Sequence, residues 1–100
     1  MWKPIDEAKM WAQLQVDILE LSPVARSLLP ELSRPLVALG CERIKGSTEQ
    51  LFVVARVGNK ALIYDDVEDE YAIANIPHAG PLRHWQLFGP LEAALLAAFG

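Results

Sequence analysis

A two-residue Gly58-Asn59 step separates the runs Gln50–Val57 (QLFVVARV) and Lys60–Asp66 (KALIYDD), both rich in β-branched and aromatic residues. Glycine and asparagine tolerate the positive φ angles of tight primed turns, so this spacing predicts a β-hairpin. The chain then runs through an acidic segment into Tyr71–Ile76, which reads as the next strand of an antiparallel meander. Pairing Val57 with Lys60 sets a register. It puts Val53, Ala55, Leu62 and Tyr64 on one face, joined by Tyr71 and Ile73 for any even-length acidic turn. Phe52, Val54, Ile63, Ala72 and Ala74 take the other face. Both faces are apolar at their centres, whereas a sheet wet on one side alternates more cleanly. Helices are therefore expected over one face, and more chain or a second subunit over the other.

The flanking segments supply those helices. Trp11, Leu14, Ile18 and Leu21 recur at helical spacing, with Ile5, Ala8 and Ala12 beside them, predicting an amphipathic helix over Pro4–Leu21. Lys3, Asp6, Lys9, Gln13, Asp17 and Glu20 form its polar face, and Ser22-Pro23 ends it. A short helix fits Pro23–Leu29, and Pro30 and Pro35 mark a connection before a first strand over Val37–Lys45. His84–Phe88 reads as a last short strand. Gly89-Pro90 opens a C-terminal helix to Phe99 that is apolar all round except for Glu92, and such a helix is expected to be buried on most sides.

One hundred residues, 52% hydrophobic and 22% charged, suit one globular domain spanning 1–100. The longest apolar run, Ala93–Phe99, is far short of the ~20 residues that cross a bilayer, and no uninterrupted apolar stretch follows the start. The single Cys41 has no internal disulfide partner, so a cytoplasmic protein is expected. The net charge of −4 is a local property: Asp65, Asp66, Glu68, Asp69 and Glu70 fall within six positions, and without them eight acids face nine bases. The bases are scattered, whereas phosphate-backbone recognition clusters them. Neither nucleic acid nor membrane is an expected partner.

No motif fixes a reaction or a cofactor. The acidic segment lacks the central glycine and distal glutamate of a helix–loop–helix calcium site, and no metal is expected there. His78 and His84 match no zinc-ligand spacing, and the surroundings of Cys41 carry no sign of a nucleophile. The glycines trace no phosphate cradle, and the serines lack a nucleophile elbow. Tyr64 and Tyr71 are different: they share a sheet face and flank the acidic loop, and tyrosine is enriched at interfaces.

The reading that follows is an α+β fold: an N-terminal amphipathic helix, a short second helix, an antiparallel β-meander of three to four strands and a C-terminal apolar helix. In size and element order it resembles many small bacterial interaction proteins, immunity-type proteins among them; the comparison rests on layout alone. The expected function is a non-enzymatic protein-binding module that self-associates as a dimer. Asp65, Asp66, Glu68, Asp69, Glu70, Tyr64 and Tyr71 would form the surface that docks a basic protein. The alternative is a small-molecule pocket between sheet and helices drawing on His84, Trp85, Tyr64 and Tyr71, with no cofactor implied.

Overall fold

The computed structural model describes residues 4–100; Trp2 and Lys3 lie outside the described residues. The chain forms three helices and one antiparallel sheet, in the order α1 (Glu7–Leu19), α2 (Pro23–Ser27), β1 (Leu32–Ile44), β2 (Ser47–Val57), β3 (Lys60–Asp65), β4 (Glu70–Asn75), β5 (Gln86–Gly89) and α3 (Leu91–Phe99). The five strands lie side by side in chain order. The α+β meander expected from sequence is present, with a strand more than the upper estimate.

Local chemistry sets the boundaries. Pro4 lies outside α1, which starts when the Asp6 side chain accepts the Lys9 backbone N–H at 2.8 Å. Its buried stripe is centred on Met10 and Leu14, with Trp11 and Ile18 half-buried and Ala8 and Ala12 exposed. β1 starts five residues before the expected Val37. Pro35 sits within it, where the pairing with β2 slips between Leu32 and Val37; an edge strand tolerates a residue that cannot donate. Gly58, at φ 60°, turns β2 into β3 with Val57 opposite Lys60, as the register argument requires.

That register breaks higher up. A β-bulge between Val53 and Ala55 re-pairs Val53 with Ile63 and Phe52 with Tyr64. Phe52 and Val54 thereby join Ala55, Leu62, Tyr64, Tyr71 and Ile73 beneath the helices, around Met10, Leu14, Ala25 and Leu95. Val53 crosses to the second face with Ile63, Ala72 and Ala74. Expected and observed faces therefore agree beyond the bulge and are exchanged at Phe52, Val53 and Val54.

The second face is closed by the chain itself. The connection from β4 to β5 crosses it, and Leu82 pairs with the outer edge of β1, donating its N–H to Gly40 O (2.9 Å) and accepting from Glu42 N (2.8 Å). Leu82, Ile76 and Trp85 pack there on Cys41, Leu51, Val53 and Ile63. Only three residues lie between Leu82 and Gln86 of β5, so the four steps joining them reach about 14 Å. In a flat sheet those positions would lie five strand spacings apart, about 24 Å. The sheet must therefore curl towards this face, and Ala61, Ala72 and Ala74 keep the inside thin enough to allow it. Of the two covers expected, more chain is the one found, so the bare-sheet argument for association loses its ground.

α3 also departs from expectation. It buries Leu91, Ala94 and Leu95 against β4, β5 and α2, but Leu96 is 44% exposed and Ala97 is open. An apolar helix of this length needs only one covered side when four of its nine residues are alanine. Lys60 Nζ donates to Ala98 O at 3.3 Å, placing a cation at the negative end of the helix. Among the described residues no helix is long and apolar enough to cross a membrane.

Candidate functional site

Neighbouring residues of a strand face opposite ways, and this splits the acidic segment in two. Asp65 points to the second face and is fully buried. Its Oδ1 accepts from Arg43 Nη2 (2.7 Å) and from the backbone N–H groups of Val67 (3.1 Å) and Glu68 (3.3 Å); its Oδ2 accepts from Trp85 Nε1 (3.0 Å). Arg43 Nη2 also donates to Glu49 at 2.8 Å, and the guanidinium lies over the Trp85 ring. Burial pushes the Asp65 carboxyl up, but the hydrogen bonds from Arg43, Trp85 and Glu68 outweigh it and hold the group below the ordinary carboxylate range. Asp65 thus ties β1, β3, the acidic turn and the residue before β5 together. It is not a docking surface.

Asp66 turns towards the N-terminal segment, where its Oδ2 accepts the Ile5 N–H at 2.9 Å. Glu68 is exposed and Glu70 half-buried. Asp69 adopts the left-handed backbone conformation, φ 56°, to close the turn, and its carboxylate accepts the Tyr64 hydroxyl.

Tyr64 and Tyr71 lie opposite each other on β3 and β4, their rings edge to face at 5.1 Å. Tyr71 donates to Asp17 Oδ2 of α1 at 2.6 Å, across 54 residues of sequence. Burial first, and then the neighbouring carboxylates, push both phenols well above their ordinary value, so they remain protonated donors. Around them opens a cleft of about 550 Å³ between α1, the start of α3 and the ends of β3 and β4. Asp17, Glu20, Asp69 and Glu92 bring four carboxylates to its lining, Tyr64, Tyr71, Leu21, Leu91 and Pro90 add apolar surface, and among the described residues no Lys, Arg or His lines it.

Several parts fix this lining. Gln13 Nε2 donates to Asp17 Oδ1 at 3.0 Å from the preceding turn of α1. Glu92, the lone charge of α3, accepts the Ser22 N–H at 2.8 Å, where Ser22 caps α2. Gly89, at φ 81°, turns β5 into α3, and a Cβ there would stand 3.8 Å from Glu70 Oε1.

Of the seven proposed docking residues, the structure brings Tyr64, Tyr71 and Asp69 together in this cleft. Asp65, Asp66, Glu68 and Glu70 do not line it. Sequence reasoning missed Asp17, Glu20 and Glu92. Asp17 and Glu20 read as solvated positions of an amphipathic helix, and only the isolation of Glu92 on an apolar helix was a signal. The alternative pocket is not assembled as expected: His84 and Trp85 line a shallow hollow with Arg43 and Arg83, and Trp85 sits on the face opposite Tyr64. Cys41 is buried, and burial first, then the nearby Glu49 charge, push its thiol up to about 11. That disfavours the thiolate. Among the described residues, no three His, Cys, Asp or Glu side chains are grouped to hold a metal ion.

No family model matches this chain, and no curated protein or solved structure is significantly similar to it.

Proposed function

We propose that this protein is a non-enzymatic binding module whose tyrosine-lined acidic cleft receives a cationic group, a lysine or arginine side chain, of a basic protein partner. The observation that carries this reading is the donor–acceptor imbalance of the lining. Both phenol hydroxyls already donate, to Asp17 and Asp69, while among the described residues four carboxylates and no basic side chain face the cleft. What remains is acceptor capacity beside aromatic rings, which suits a cation with several N–H donors. Among the described residues, the lining side chains include no serine, threonine, cysteine, lysine or histidine to serve as a nucleophile or a near-neutral base.

Calorimetric titration with an arginine- and lysine-rich peptide tests this, with an acidic peptide of equal length as control. Binding is expected at low salt, weakening several-fold at 0.5 M salt and on Glu20→Gln or Asp69→Asn. Equal heats for the two peptides, or binding indifferent to both substitutions, would reject the proposal.

A second reading is a site for a small organic cation such as a polyamine, which the cleft volume favours because ligand pockets run from ~300 to 1,000 Å³. A thermal-shift panel of amines separates the two, since a ligand that binds only the folded state raises the melting temperature. Self-association rests now on exposed apolar side chains of the helical layer, Val16, Leu19, Val24 and Leu96. Light scattering at micromolar concentration is its test.

A further inference from the structure

We propose that residues 77–85 are a strap that lifts off the second sheet face as a unit while the helices and the five paired strands stay folded. The segment contains almost no regular structure of its own. Pro77 and Pro81 cannot donate backbone hydrogen bonds, Gly80 sits at φ 77°, and His78, Ala79, Gly80, Arg83 and His84 are exposed. Its attachments are few and lie near its far end: the two backbone bonds of Leu82 to β1, the buried Leu82 side chain, the Trp85 ring with its bond to Asp65 and the Arg43 guanidinium over it, and the Arg83–Glu42 ion pair at 3.0 Å. That last pair is 57% exposed on the arginine side and contributes little. The sheet beneath does not depend on the strap for its pairing, because every strand bonds its chain neighbour. A segment with few buried contacts beside a self-sufficient sheet is the kind that opens below the global unfolding free energy.

Lifting the strap leaves Gly40 O and Glu42 N–H unpaired on the outer edge of β1 and bares the apolar face around Cys41, Leu51 and Val53. The fold thereby holds a strand-accepting edge in reserve.

Cys41 is the only cysteine in the chain and lies under the strap with no exposed surface, so its labelling by an aromatic disulfide reagent reports opening directly. Three results are expected from the intact protein. The labelling rate is nearly independent of urea well below the unfolding transition. Trp85→Phe, which removes the bond to Asp65, raises the rate about five- to tenfold. Leu95→Ala, which weakens the helical core on the other face, changes it less than twofold even as the global unfolding midpoint falls. A labelling rate that climbs with urea along the global unfolding curve, or that rises in Leu95→Ala in proportion to lost stability, overturns the proposal. Should Leu95→Ala fail to fold, the urea series on the unsubstituted protein decides alone.

Discussion

Replacing Asp65 with asparagine removes one negative charge and little volume from a fully enclosed position, and its cost follows from the contacts. Asp65 accepts four hydrogen bonds, two of them from the Arg43 guanidinium and the Trp85 indole. Asparagine keeps one acceptor oxygen and turns an NH₂ towards groups that are themselves donors. Breaking one side of a buried ion pair costs about 3–5 kcal/mol. Arg43 retains Glu49 and is 27% exposed, which places the loss near the lower end, about 3 kcal/mol. For a chain of this size that corresponds to a melting temperature lower by roughly 15 °C. Urea unfolding followed by tryptophan fluorescence measures it, with the denaturant slope unchanged if the native state stays compact. The exposed Glu68→Gln is the control, expected within about 0.5 kcal/mol. The pH dependence must agree. Because the folded Asp65 carboxyl is held below its unfolded value near 3.8, its contribution is fully present above that pH and is lost as pH falls through the lower folded value. Asp65→Asn should therefore flatten the acid limb of the stability curve. A loss under about 1 kcal/mol, or equal losses for Asp65→Asn and Glu68→Gln, refutes the assignment of Asp65 as an internal tie.

Three further outcomes follow from the cleft and its supports. Tyr71→Phe leaves Asp17 without its buried donor and should cost about 1–3 kcal/mol in urea unfolding. The Tyr64 and Tyr71 phenols are raised in the folded protein, so their contribution is complete below the unfolded value of 10 and is lost as pH rises beyond it. The urea midpoint should fall between pH 9 and pH 11, and less steeply in the doubly substituted Tyr64→Phe, Tyr71→Phe protein. Gly89→Ala, with space for the methyl group but φ at 81°, should lose about 1–2 kcal/mol through backbone strain alone in the same assay.

The sequence made the hairpins legible because their information is local. Gly58-Asn59, the alternating runs beside it and the even four-residue acidic turn determine which residues face which across β2, β3 and β4. The bulge beside Val54 has no such signature, since Phe52, Val53 and Val54 are all apolar and fit either face. Pro35 misled for a related reason: proline argues against a central strand, and nothing local says that β1 is an edge. The site was half visible. Tyr64, Tyr71 and Asp69 stand close together in the chain, whereas Asp17 and Glu92 reach the cleft only through the docking of α1 and α3 across 54 and 21 residues from Tyr71. Asp65 was misplaced because a run of acids reads as solvated surface, and its partners Arg43 and Trp85 are each about 20 residues away.

The chain-order sheet also bears on how the molecule reaches its native state. Its first three turns close loops of two, two and four residues, so the entropic cost of joining β1 to β4 is met in small steps. The long closures, α1 onto β4 through Tyr71 and Asp17 and Leu82 onto β1, gain little until a sheet exists to receive them. A transition state centred on β2, β3 and β4 is the expectation, with conservative substitutions such as Ile63→Val slowing folding and those such as Leu14→Ala chiefly speeding unfolding.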